Sequence, residues 1–262
     1  HIEHLQKWTS RGRSWAQFML GNIYRQGNFV KRDPLRAFEL YKLAADQGHH
    51  LAQNNLANRY IDGQGVVQSD SRAFEYYKLS ADQGYEYAQF NVGSLYNNGI
   101  GVEQSDTNAV EYYTLAADQG HTNAQFNLGR MYSIGEGGIQ SDPLSFKYFK
   151  LAAEAGDAVA QSQVGVCYGN GTGVEQSLTK ARKWLTKAAK QGHGKANKHL
   201  KILDEHEGIK TTSSSSNFTD NSTILCSKCN KPAQNNDTLL NCKCKGAQYC
   251  NNTCYHAHWK EH

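Results

Sequence analysis

The chain has 262 residues, which is enough for one or two domains of ordinary size. Its 28 lysines and arginines against 24 aspartates and glutamates leave a formal net charge of +4, which disfavours nucleic acid as a partner. No stretch approaches the roughly eighteen consecutive apolar residues of a membrane-spanning helix, so we expect no membrane partner. Because the sequence begins with His1 rather than methionine, we expect it to be a piece of a longer chain.

The first feature along the chain is a repeat of 36 residues, and one alanine marks each unit. These alanines are Ala16, Ala52, Ala88, Ala124, Ala160 and Ala196. In the first five units a Leu or Val follows four residues later and a Tyr eight residues later, so the three side chains share one face of a predicted helix. The position five residues after the alanine is always Gly or Ala, small enough for a second helix to approach closely. A fixed period of this size predicts stacked units, none of which buries its apolar face alone.

Each unit continues through a glycine-rich turn into a second predicted helix. The predicted N-caps of this helix, which accept bonds from free backbone N–H groups, are Asp33, Ser69, Ser105, Ser141 and Ser177. The glycines that follow its last turn, where left-handed backbone ends a helix, are Gly48, Gly84, Gly120, Gly156 and Gly192. Aromatic pairs such as Tyr76–Tyr77 recur inside the helix, and we predict that they form core between repeats rather than a ligand-binding box.

Three units have a histidine directly after that glycine, at His49, His121 and His193. Their shared repeat position predicts turn residues rather than a catalytic set. Cys167 occupies the place that Ile23, Leu95 and Met131 occupy in other units, so we predict a small, half-buried apolar side chain there rather than a reactive thiol.

This pattern resembles the Sel1-like repeat family, which is related to the tetratricopeptide repeats. The resemblance covers five units between about residues 16 and 195. It implies an all-α fold, a right-handed superhelical solenoid of helix-turn-helix repeats that serves as an adaptor scaffold for protein partners. Residues 1–15 resemble the remnant of a preceding repeat, and the more polar segment from Ala196 to His206 is predicted to be a capping helix that ends the repeat region 16–206.

The periodicity stops after His206. Residues 207–224 are rich in Ser, Thr and Asn and have little apolar surface to bury, so they are predicted to form a flexible linker. We therefore expect the last segment, residues 225–262, to be a tethered small domain.

Six of the seven cysteines lie in that last segment. They are Cys226, Cys229, Cys242, Cys244, Cys250 and Cys254. Close pairs of thiolates followed by histidines suit tetrahedral Zn²⁺, and a segment with so few apolar residues needs a metal in place of a core. Three disulfides in a secreted domain are the alternative, and the paired spacings and the trailing histidine favour zinc.

The spacing resembles the MYND-type zinc finger, in which eight ligands hold two zinc ions. The resemblance implies a first site of Cys226, Cys229, Cys250 and Cys254. It implies a second site of Cys242, Cys244 and His262. The eighth ligand of the finger is absent from the sequence, so we expect the finger to be C-terminally incomplete. His258 or His256 could take the place of that ligand. The middle pair is C-x-C where the family more usually has C-x2-C. A RING finger is disfavoured because its histidine lies in the middle of the ligand series.

The MYND resemblance also implies that the finger binds a short, proline-containing peptide near Gln248, Tyr249 and Trp259, because an aromatic platform suits a polyproline II segment. The leading hypothesis is a non-catalytic adaptor, whose repeats bind one protein and whose finger binds another, in the cytoplasm or the nucleus. The alternatives are a regulatory or targeting part of a larger enzyme, such as a MYND-containing methyltransferase, and a weak nucleic-acid binder.

Overall fold

A computed structural model describes residues 2–206 and the strand residues 240–241 and 248–249. The helices are α1 (Ile2–Ser10), α2 (Ser14–Gln26), α3 (Pro34–Ala45), α4 (His50–Asp62), α5 (Asp70–Ala81), α6 (Glu86–Asn98), α7 (Asp106–Asp118), α8 (Thr122–Ile134), α9 (Asp142–Glu154), α10 (Ala158–Asn170), α11 (Leu178–Lys190) and α12 (Gly194–His206). Helices α1–α11 belong to one unit of the chain, and α12, the expected capping helix, belongs to a second unit with the strands. The predicted linker 207–224 lies outside the described residues.

The second unit contains a short antiparallel ladder. Strand β1 (Leu240–Asn241) pairs with strand β2 (Gln248–Tyr249), so that Leu240 lies opposite Tyr249 and Asn241 opposite Gln248. Two residues of the predicted peptide site, Gln248 and Tyr249, therefore lie on β2.

The repeats are helix pairs, as the 36-residue period predicts. We call the first helix of each pair helix A (α2, α4, α6, α8, α10) and the second helix B (α3, α5, α7, α9, α11). All five predicted caps begin a helix B; for example, Asp33 Oδ1 accepts a bond from the backbone N–H of Arg36 at 2.9 Å. Each helix A ends at a left-handed glycine, such as Gly63 with φ of 64°. These local signals confirm the predicted start of every helix B.

The small residue in each helix A allows its helix B to approach. A Cβ added to Gly93 would lie 2.8 Å from a ring carbon of Tyr113, closer than atoms can pack without movement. Gly21, Gly129 and Gly165 meet Tyr41, Phe149 and Leu185 in the same way. Tyr41 and Tyr113 are almost completely buried, which confirms that the aromatic pairs form core. The other member of a pair stacks on the Tyr of helix A, as Tyr76 does on Tyr60 with ring centroids 5.8 Å apart.

The repeats are also joined by a chain of buried glutamines on the helices A. Gln53 donates to the carbonyl of Ala45 in the preceding helix B at 3.3 Å, and its own carbonyl oxygen accepts from Gln83 at 2.7 Å. Equivalent pairs link Gln47 to Gln17, Gln119 to Gln89 and Gln191 to Gln161. In the fourth repeat the position of the donating glutamine is occupied by Ala155, whose side chain cannot donate a hydrogen bond. Gln125 Oε1 is consequently buried without a hydrogen-bond partner among the residues that the structure describes.

The histidines predicted as turn residues have a further structural role. His49 and His121 are the N-caps of α4 and α8, and each Nδ1 accepts a bond from a backbone N–H, at 3.3 Å and 3.2 Å. Their rings stack on Phe18 and Phe90 of the preceding helix A, with centroids 4.8 Å and 4.6 Å apart. Burial lowers the pKa of both imidazoles, with His50 contributing at His49 and Glu86 opposing the shift at His121.

Candidate protein-binding surface

Polar side chains connect neighbouring helices A along one side of the repeats. The hydroxyl of Tyr41, from a helix B, donates to Asn22 Oδ1 at 2.7 Å, and Asn55 of the next helix A donates to the same oxygen at 3.4 Å. Asn91 of α6 likewise donates to Asn54 of α4 at 3.3 Å. Because these bonds join successive repeats, the helices A present a fixed, amide-rich surface.

A shallow, open pocket of about 340 Å³ with a mainly apolar lining lies between the second and third repeats. Its lining residues are Ile61, Gln68, Asp70, Tyr77, Asn91, Ser94, Leu95 and Ile100. The aliphatic side chains come from α4, α6 and the turn after α6, and the polar groups surround them. A concave site with apolar walls and a few polar groups is suited to the side chain of a partner protein.

Arg59 is on α4, two residues before the lining residue Ile61, at a repeat position where other units have apolar side chains. It stands in the column of Ile23, Leu95, Met131 and Cys167, and only 9% of its surface is exposed. The positive charge of Arg59 acts on the hydroxyls of both Tyr41 and Tyr77, and burial raises the pKa of each tyrosine despite it. We did not predict a role for Arg59 from the sequence, although its break in the apolar column was a visible signal.

A second pocket, of about 280 Å³, lies at the N-terminus of α8. It is lined by Glu86 and Tyr87 of α6, by His121, and by residues 119–120 and 122–123. The Tyr87 and His121 rings meet edge to face with centroids 5.1 Å apart. His121 already caps α8 through Nδ1, so we assign the side chains of this pocket to the packing between repeats rather than to ligand binding.

The predicted metal ligands all lie outside the described residues, as does Trp259. Within the described part of the chain, no group of three or more His, Cys, Asp or Glu side chains is arranged to hold a metal ion. Cys167 is buried, and burial raises the pKa of its thiol to about 11, which favours the protonated, unreactive form. None of the helices in the described residues is long and apolar enough to cross a bilayer.

These features define an all-α solenoid of paired helices, in which the helices A present polar side chains and a pocket. The match to the Sel1 repeat covers residues 16–49, 50–85, 86–121, 122–157 and 158–193, and the chain belongs to the Sel1 repeat family. Proteins with this repeat generally act in protein–protein interaction, and its scaffold homologues are generally non-catalytic adaptors.

Two solved structures support the fold assignment. The chain is 32% identical to c5321, a protective antigen of uropathogenic Escherichia coli strains, over 79% of this chain and 44% of the antigen, with a TM-score of 0.76. It therefore spans less than half of that relative. The Sel1 repeat protein from Oxalobacter formigenes is 29% identical over 79% of this chain and 81% of its own, with a TM-score of 0.68. No curated protein sequence matches the chain.

Proposed function

We propose that the chain is a non-catalytic adaptor that binds one protein through the helix-A side of its repeats and a second through its C-terminal segment. The observation that carries the first half is the apolar pocket between the second and third repeats, framed by Ile61, Leu95 and Ile100. Asn91, which lines this pocket, is held by a hydrogen bond to Asn54 of the preceding helix A, so binding there costs little ordering.

A charge placed at the pocket tests the first half of this proposal. Ile100 is 39% exposed, so Ile100→Glu should leave the repeats folded while it prevents an apolar side chain from entering. Ile139→Glu is the matched control, because Ile139 is 58% exposed and does not line the pocket. Peptides selected by display on the full chain should lose at least about tenfold in affinity for I100E and none for I139E. Equal binding to both variants would refute the pocket as the binding site.

The second half of the proposal concerns a zinc finger in residues 225–262. Its basis is the ligand spacing of the six cysteines and His262, with His258 as the substitute ligand, and the resemblance of that spacing to the MYND type. Thiolate ligands require reducing conditions, so we propose the cytoplasm or the nucleus as the compartment. Elemental analysis of the purified chain should find zinc, and Cys226→Ser or Cys250→Ser should reduce its content. Zinc-free protein with three disulfides by mass spectrometry would refute the finger.

The peptide partner of the finger is tested separately from the metal. Trp259→Ala should abolish binding of a short proline-containing peptide while the zinc content stays unchanged, because the ring is proposed as part of the peptide platform with Gln248 and Tyr249. Tyr255→Ala, outside that platform, is the control. If W259A loses zinc together with peptide, Trp259 packs within the finger and the platform assignment is wrong.

A further inference from the structure

The positive charge of the buried Arg59 side chain is only partly balanced by nearby acidic groups. Its only ion pair in the described residues is with Asp62, at 3.7 Å, and Asp62 is about half exposed. One terminal nitrogen of Arg59 donates to Gln64 Oε1, and Nε has no hydrogen-bond partner within the described part of the chain. A guanidinium this deeply buried normally has its donors satisfied, so the charge of Arg59 is incompletely neutralised by the residues that the structure describes.

Arg25 is a second guanidinium at the same junction. It follows Asn22 by one helical turn on α2, as Arg59 follows Asn55 on α4, and Asn22 and Asn55 are hydrogen-bonded to each other. The positive charges of both arginines oppose the burial that raises the pKa of the Tyr41 hydroxyl. Arg25 Nε is likewise buried with no partner in the described residues. The first and second repeats therefore bring two incompletely paired guanidinium groups to one tyrosine hydroxyl.

Arg130, on the helix A of the fourth repeat, is a contrasting arginine whose charge is paired with a carboxylate. It makes contacts of 2.8 Å and 3.0 Å with the two carboxylate oxygens of Glu136 and donates to Asn97 at 3.2 Å. No carboxylate of the described residues is placed in this way at Arg25 or Arg59, where the 3.7 Å contact with Asp62 is the closest.

We propose that Arg25 and Arg59 bind an Asp or Glu side chain of the partner protein, and that the same partner inserts an apolar side chain into the pocket between the second and third repeats. The two parts are connected through α4, because Ile61 of that helix lines the pocket two residues after Arg59. Tyr77 also lines the pocket, and its hydroxyl donates a hydrogen bond to Asn58, the neighbour of Arg59 in the chain.

Two acidic residues lie on this side. Asp62 makes the 3.7 Å contact with Arg59, and the partner's carboxylate would replace that contact. Asp70 is the first residue of α5 and lines the pocket. This inference rests on the proposed repeat surface and specifies its ligand as a segment with an apolar residue beside an acidic group.

The experiment uses the full chain and four pools of short peptides with a fixed leucine. One pool has Asp or Glu next to the leucine, one has Asn or Gln, and two end at the leucine with either a free or an amidated C-terminus. We expect the pool with Asp or Glu to bind at least about tenfold more tightly than the pool with Asn or Gln. A preference only for the free over the amidated C-terminus would overturn the assignment to a side-chain carboxylate. Arg59→Met and Arg25→Gln should each abolish that preference without weakening the neutral pool.

Two controls separate a binding role from a structural one. Arg59→Met places in this column the residue that the fourth repeat has at Met131, so its melting temperature should equal or exceed that of the wild type. Arg36→Gln removes an exposed arginine on helix B and should keep the preference for acidic peptides. Retention of that preference in R59M, or its absence in the wild type, would overturn the carboxylate site. If no pool binds, or if I100E binds every pool normally, the proposed repeat surface fails as well.

Discussion

Replacing Ala155 with glutamine should stabilise the repeats, because it completes the one interrupted step in the chain of buried glutamines. In three other repeats the equivalent glutamine donates to its partner's carbonyl oxygen at 2.7 Å, and in the fifth at 2.9 Å. The backbone at Ala155 is helical, with φ of −72° and ψ of −4°, close to that of Gln119 at −87° and 2°. A glutamine there can therefore reach Gln125 Oε1 without backbone movement.

The expected gain is about 1 kcal/mol. Satisfying a buried acceptor is worth about 1–3 kcal/mol, whereas ordering the glutamine side chain costs up to about 1.5–2 kcal/mol. The exposed position of Ala155 means that no core contact is lost. For a domain of this size, a gain of about 1 kcal/mol raises the melting temperature by about 2–4 °C.

Urea unfolding of A155Q followed by circular dichroism measures this gain, and a double-mutant cycle with Gln125→Met isolates the new bond. The stabilisation should disappear in the Q125M background. The reverse substitution, Gln119→Ala, should destabilise the chain by a similar amount because it leaves Gln89 Oε1 without its partner. A gain that persists in Q125M, or a neutral Q119A, would show that the glutamine bonds do not contribute to stability.

Three further experiments test the packing and the caps. Phe29 is 88% exposed with a left-handed φ of 69°, at a repeat position where other units have glycine, so Phe29→Gly should raise stability by about 1 kcal/mol in thermal unfolding; a decrease would mean that the ring makes a stabilising contact. Gly93→Val should cost about 1–3 kcal/mol by overpacking against Tyr113, and Gly93→Ala less, because the second repeat buries Ala57 at that position; an unchanged melting temperature for G93V would contradict the close approach. Because burial lowers the pKa of His49 and His121, the unfolded chain binds protons more readily, and urea stability should fall as the pH drops below about 6.5. The double variant H49N/H121N keeps cap-forming side chains and should reduce this loss; an unaltered pH profile would assign it to other groups.

Much of the fold is readable from the sequence because its signals are local. An Asp or Ser that caps a helix binds a backbone N–H three residues away, and a glycine that ends one adopts its conformation alone. The period of 36 residues then repeats each signal in five units, so their positions reinforce one another. The spacing of the cysteines predicts zinc by the same local logic, and that prediction lies outside the described residues.

The candidate site depended on contacts that no local pattern specifies. The glutamine bonds join residues 30 apart, and the bond between Asn22 and Asn55 joins residues 33 apart. The stacking of His49 on Phe18 and of His121 on Phe90 joins residues 31 apart. Arg59 breaks an apolar column in the sequence, but only the tertiary structure brings its charge to bear on two buried tyrosines, Tyr41 and Tyr77. The sequence by itself determined the helices and their repetition, because backbone hydrogen bonds within a helix are short-range; which polar groups are buried and left without partners was decided only when the helices packed.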